Sequence, residues 1–127
     1  MKRQSTLRCI VYLSVDGEVE EIAGKERRQL KYIREYARAN RIEIVGILHR
    51  GGLGQFEVNR QINAIIHEIE AKRYDGILIA NMAAVSIGVT DAYTKVGKII
   101  EIGGRIITVD EGELKLPLKY GRNTNHV

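Results

Sequence analysis

Ser14, Asp16, Arg60 and Ser86 are side chains of types that could act on a phosphate. A glycine-rich run, Gly51-Gly52-Leu53-Gly54, could present backbone N–H groups to the same kind of ligand. An aspartate that accepts a phosphoryl group, with an arginine to balance charge, is the specific version of that chemistry. Its usual acidic cluster and partner lysine are not evident. The glycine run is not a P-loop, because no Gly-Lys-Ser/Thr follows it, and it lacks the Gly-x-Gly-x-x-Gly order of a dinucleotide fingerprint. A surface turn is its plainer explanation. Ser14 and Ser86 have no histidine base beside them, so a triad is unsupported. His49, His67 and His126 have no metal-ligand spacing with one another or with Cys9, so no metal and no cofactor is expected.

These residues need elements to hold them. Leu7 to Leu13 is a short apolar run rich in strand formers. Residues from about 24 to 40 have a helical period, with Leu30, Ile33, Tyr36 and Ala37 on one face. Ile42 to Leu48 is a second strand. Ile62, Ile65, Ile66 and Ile69 form the stripe of a second helix, which puts His67 on its surface. Tyr74 to Ala80 is a third strand. A third helix is expected from about Thr90, as its cap, to Ile102, with Gly103-Gly104 ending it. Arg105 to Val109 is a fourth strand. Apolar strands separated by helices of ten or more residues predict a three-layer α/β fold. Its sheet should be mostly parallel, of four or five strands, with helices on both faces. Sites in such sheets lie beyond the carboxyl ends of the strands. Segments 14–20, 49–56, 81–89 and 110–113 therefore hold any chemistry.

The 127 residues make one domain, large enough to bury roughly two-thirds of its unfolded surface. Residues 1–112 are expected to carry the fold and 113–127 to form a polar tail, frayed at its end. Hydrophobic content of 44% and charged content of 28% are ordinary for a globular protein. No apolar run reaches the ~18 residues of a membrane span, and no signal-peptide core is evident. A single cysteine, Cys9, fits a reducing cytoplasm and a buried position. Net charge is +4 and pI about 9.3, which permits nucleic-acid binding without requiring it. Many of the cations lie in the first helix: Arg27, Arg28, Lys31, Arg34 and Arg38. A solvated face and a phosphate-binding stripe are the two readings of that run.

From about Leu7 to Gly112, the order of motifs resembles the catalytic domain of serine recombinases, the resolvase and invertase family. That family's first strand ends Tyr-x-Arg-Val-Ser, and here the stretch reads Tyr12-Leu13-Ser14-Val15-Asp16. Gln29, followed by Ile33, Tyr36 and Ala37, is similar to the family's first helix. The family's loop of Asp-x-Gly-x-Ser-Gly and a later arginine resembles His49 to Gly54 and Arg60. Tyr74 to Ile79 resembles the strand before the family's Asp-Arg-Leu-Ser-Arg segment. That segment reads Ala83-Ala84-Val85-Ser86-Ile87 here, with Asp91 beyond it. Gly104-Arg105-Ile106 resembles the glycine-led last strand.

In that family the serine attacks a DNA phosphodiester, and arginines stabilise the added charge. The resemblance puts Asp16 at the nucleophile position and Ser14, Ala84 and Ile87 at arginine positions, with Arg60 alone retained. Such electrostatic stabilisation is worth about 3–4 kcal/mol per donor in comparable sites. Asp16 is a poor substitute nucleophile, since it sets a negative charge beside an anionic phosphodiester. Gly51, Gly54, Ser86 and Arg60 remain as candidates for contact with a ligand or a DNA phosphate. The resemblance thus implies a recombination-related domain, catalytically silent, acting through protein or DNA binding. Its partners would be DNA, another copy, or an intact recombinase. The alternatives are a working recombinase with an atypical site and a small phosphate-ligand enzyme. The family continues into a long dimerisation helix and a DNA-binding domain, and this sequence stops about where that helix would start.

Overall fold

The computed structural model describes residues 6–117. The strands are β1 (Leu7–Leu13), β2 (Ile42–His49), β3 (Gly76–Ile79), β4 (Arg105–Thr108) and β5 (Gly112–Glu113). The α-helices are α1 (Val19–Ala39), α2 (Gln55–Glu70) and α3 (Gly88–Glu101), with a short 3-10 turn at Met82–Ala84. The sheet order is β2-β1-β3-β4-β5. The first four strands are parallel, and β5 runs antiparallel to β4.

The side chains of β1 alternate between two cores, and this makes the three layers. Cys9, Val11 and Leu13 pack with Ile33 and Ala37 of α1. Ile10 and Tyr12 pack with Val58, Ile62 and Ile65 of α2 and with Val96 and Ile99 of α3. A central strand covered on both faces has no polar side, which is why its sequence is apolar throughout. At its centre the sheet is close-packed. A Cβ on Gly76 of β3 would lie 2.2 Å from the Arg105 carbonyl oxygen of β4.

Three boundaries differ from the sequence reading. The first helix begins at Val19, before its apolar period is established; its entry is fixed by the Glu18 N–H donating to Glu21 Oε1 at 3.1 Å. The third helix begins at Gly88, and Thr90 does not cap it. Asp91 Oδ2 instead accepts the Ile87 N–H at 2.9 Å. The sheet also runs past residue 112. Gly112–Glu113 pairs with β4, Leu114 N–H donates to the Ile106 carbonyl, and Leu114 packs on the core. The first residues of the expected tail are therefore joined to the domain. The reading of its end, residues 118–127, lies outside the described residues, as does His126.

Candidate functional site at the strand ends

The chain leaves β1 toward α1 on one face and leaves β3 toward α3 on the other. Where adjacent parallel strands send their connections to opposite faces, a crevice opens at their carboxyl ends. Ser14 sits there. It is only 3% exposed, and its Oγ–H donates to the Ala84 carbonyl across the crevice. Gln29 of α1 holds its backbone from both sides: Ser14 N–H donates to Gln29 Oε1 at 2.8 Å, and Gln29 Nε2 donates to the Ser14 carbonyl at 3.1 Å.

Arg50 completes this cluster. It follows β2 directly, and its N–H donates to the Leu13 carbonyl at 2.9 Å. Its guanidinium spans three acceptors, with Nη1 donating to Ser14 Oγ at 3.1 Å, Nη2 to Asp16 Oδ1 at 3.0 Å, and Nε to the Leu53 carbonyl. The Arg50 side chain is 19% exposed, while that of Asp16 is 90% exposed. One partly buried cation thus lies between a buried hydroxyl and a solvent-facing carboxylate. Asp16 therefore has an arginine partner, Arg50, which is not one of the arginine positions that the resemblance assigns.

A buried carboxylate anchors the loop that carries Arg50. Glu26 of α1 accepts from Gly51 N–H at 3.2 Å, and its other oxygen lies 2.8 Å from His49 Nδ1. Gly51 therefore presents its N–H to an acid of the same chain, which opposes its role in a phosphate cradle. Gly54 is the residue before α2, and its carbonyl accepts from Glu57 and Val58. Gly51 and Gly52 have φ values of +67° and +82°, a backbone that a turn needs and other residues rarely adopt.

The remaining candidates do not converge on Asp16. Arg60 lies on the solvent side of α2 and is paired with Glu57, its Nε donating to Glu57 Oε1 at 3.0 Å. That hydrogen bond and the adjacent negative charge raise the Arg60 pKa further. Ser86 Oγ donates to the Met82 carbonyl at 2.7 Å, closing the 3-10 turn. Ala83 and Ala84 lie in that turn, where Asn81 Oδ1 accepts from Ala84 N–H at 3.0 Å. Ile87 is 68% exposed. Tyr12 is the other hydroxyl near the crevice. Burial pushes its phenol up to about 12 against the lowering charge of Arg50, and its O–H donates to Gln61 Oε1.

Arg50, Glu26 and Gln61 are the site residues that sequence reasoning missed. The available signal was positional: β2 neighbours β1 in the sheet, so the residue after β2 must emerge beside the residue after β1. Cys9 is fully buried, and burial above all raises its thiol to about 12. Among the described residues no group of three or more His, Cys, Asp or Glu is placed to hold a metal. No helix among them is long and apolar enough to cross a membrane.

No protein-family model and no curated protein matches the chain. Solved structures do. A resolvase family site-specific recombinase from Streptococcus pneumoniae is similar at 18% identity and a TM-score of 0.70, over 84% of this chain and 74% of that one. The N-terminal catalytic domain of TP901-1 integrase is similar at 18% identity and a TM-score of 0.68, over 83% and 79% of the two chains. The C-terminal catalytic domain of ISC1926 TnpA, an IS607-like serine recombinase, is similar at 20% identity and a TM-score of 0.64, over 81% and 70%. At these identities the likeness shows the fold, which is that of serine-recombinase catalytic domains.

Proposed function

We propose that this is a recombination-related domain that has kept the serine-recombinase frame and acts by binding rather than by cutting. The observation that carries the reading is the state of the strand-end crevice. Its one serine is buried, with its proton directed to a carbonyl and its oxygen accepting from Arg50. A nucleophile needs a free lone pair aimed at the phosphorus and a group to take its proton. The contacts of Ser14 Oγ are to the Ala84 carbonyl and the Arg50 guanidinium, neither of which serves as a general base, and the exposed carboxylate of Asp16 already occupies that guanidinium, leaving less of its charge for a phosphodiester. The resemblance places three further arginines at this site, and here those positions are Ser14, Ala84 and Ile87. Loss of such a set lowers rate by many powers of ten, even allowing for non-additivity.

In this reading the partners are DNA, another copy or an intact recombinase, and the compartment is the cytoplasm. The test is strand cleavage or exchange with the purified protein on supercoiled and linear duplexes. No covalent protein–DNA product is expected, and a serine-linked end would overturn the proposal. One contact favours a second reading, that of a working recombinase with a shifted nucleophile: Arg50 Nη1 lies 3.1 Å from Ser14 Oγ. That reading requires a Ser14→Ala variant to abolish an activity the native protein has.

A further inference from the structure

We infer that the outward face of α1 is a docking surface for the phosphate backbone of duplex DNA, separate from the strand-end crevice. Arg27, Lys31, Arg34 and Arg38 follow one another at i, i+4, i+7 and i+11. At 3.6 residues per turn they fall within about 60° of arc and extend over about 16 Å of helix. Arg28 lies beside them, and all five are exposed.

Among the described residues these cations are unpaired and, unlike the separate exposed lysines Lys72 and Lys98, they share one helix face. Arg50, Arg60, Lys95 and Arg105 each lie within 4.0 Å of a carboxylate. Among the described residues, none of the five α1 cations has an ion pair or side-chain hydrogen bond. Glu35 is exposed beside the row, yet no bridge forms to it. Five unpaired cations on one short surface, offset in part by Glu35 beside them, raise the energy of the free protein, and a polyanion relieves it by releasing its own counterions.

The same helix discriminates among polyanions. A helix that lies on an anionic membrane needs exposed apolar residues beside its cations. The apolar residues Leu30, Ile33 and Ala37 of α1 are turned to the sheet instead. Single-stranded nucleic acid is held by aromatic side chains on which bases stack. Tyr36 packs on the inner core, and Tyr32, about 130° round the helix from the cationic row, donates its hydroxyl to Asp110. The strongly exposed aliphatic residue of α1, Val19, lies at its first position, about 12 Å before Arg27. What remains is an evenly spaced row of cations without stacking platforms or an apolar wedge among them, which suits a regular duplex backbone. Only the choice of DNA over another duplex polyanion rests on the proposed function; the row itself does not.

The experiment is fluorescence anisotropy of the full chain with a labelled random-sequence duplex, over salt from about 50 to 200 mM. Affinity should fall steeply with salt and depend little on sequence. An Arg27→Ala/Lys31→Ala/Arg34→Ala/Arg38→Ala variant should lose at least about tenfold in affinity at the low salt, with a slope of log K against log salt shallower by about 3–4. A Lys72→Asn/Lys98→Gln control removes exposed cations elsewhere and should stay within about twofold, as expected for charges outside the contacted face. Circular dichroism establishes that the variants are folded. Should the fourfold variant not fold, Arg34→Ala/Arg38→Ala should show about half the loss of slope. The inference is overturned if the native protein does not bind the duplex, if the α1 variant binds as the native protein does, or if the control loses as much. Tighter binding to single-stranded RNA or to phosphatidylserine vesicles than to the duplex also overturns it. Serine-linked DNA would remove the proposed function and leave this inference standing.

Discussion

The guanidinium of Arg50 lies 3.1 Å from Ser14 Oγ and 3.0 Å from Asp16 Oδ1, so one side chain ties the first residue after β1 to the rest of the loop it opens. Its Nε also closes the 50–53 turn on the Leu53 carbonyl. The contact to the buried Ser14 is shielded, whereas the Leu53 carbonyl lies at an exposed residue and the Asp16 carboxylate faces water and contributes little. Arg50→Ala should therefore destabilise the fold by about 1–3 kcal/mol, and Asp16→Asn by less than about 0.5 kcal/mol. Urea unfolding measures both. Equal losses for the two variants would mean that the cluster acts through its surface ion pair.

Gly76 sets the approach of β3 to β4. A methyl there would lie 2.2 Å from a backbone oxygen of the neighbouring strand, which cannot turn aside as a side chain can. Gly76→Ala should cost about 1–3 kcal/mol, in the range of overpacked cores, although alanine is the smallest possible addition. Gly54→Ala serves as the comparison, because an added Cβ there meets nothing within 4 Å. A thermal melt of Gly76→Ala equal to that of Gly54→Ala would refute the close-approach argument.

The alternation of apolar strands and amphipathic helices was legible because burial on two faces and burial on one leave different periods in the sequence. Helix entries were less so. Both α1 and α3 start with a carboxylate reaching back to the N–H before the helix, Glu21 to Glu18 and Asp91 to Ile87. Neither residue at those entries is of a type that caps by its own side chain, so the usual signal is absent. β5 consists of Gly112 and Glu113 alone, too short to carry a period of two. The site residues around Ser14 and Asp16 could be placed at the crevice from strand order. Arg50 could not be placed by motif, because its role depends on β2 lying next to β1 and on Glu26 fixing the loop. Arg60 was expected in the pocket on family resemblance, and Glu57, one helical turn before it, draws it to the surface instead.

Lys95 is the buried cation of the described chain, its side chain 7% exposed and its Nζ 2.6 Å from Asp91 Oδ2. A buried charge is tolerated only with a partner. Asp91→Ala would leave Lys95 unpaired between α2 and α3 and should cost about 3 kcal/mol, the lower end for a broken buried pair because Asp91 is itself partly exposed. Replacing both groups, as Asp91→Ala/Lys95→Met, should recover part of that loss. A double variant less stable than the single one would argue that Lys95 is held by contacts other than Asp91.

The acid limb of stability should depend on Asp91 and Glu113. Burial alone would raise the Asp91 pKa, but the hydrogen bonds from Lys95 and the Ile87 N–H, with the charges of Lys95 and Lys98, bring it below its ordinary 3.8. Glu113 is lowered from 4.5, first by its two hydrogen bonds from Arg105, at 2.8 and 2.9 Å, which outweigh its desolvation. A carboxylate depressed in the folded state binds its proton first in the unfolded state. Its contribution is present above the unfolded pKa and is lost as pH falls through the folded one. Stability of the native protein should thus drop from about pH 5 downward through these two groups, with no loss from them between about pH 6 and 8. In Asp91→Asn/Glu113→Gln the difference from the native protein should be largest near neutral pH and shrink toward pH 3. Urea midpoints measured across that range test the sign: a gap that widens on acidification would mean that these carboxylates are raised, not lowered, in the fold.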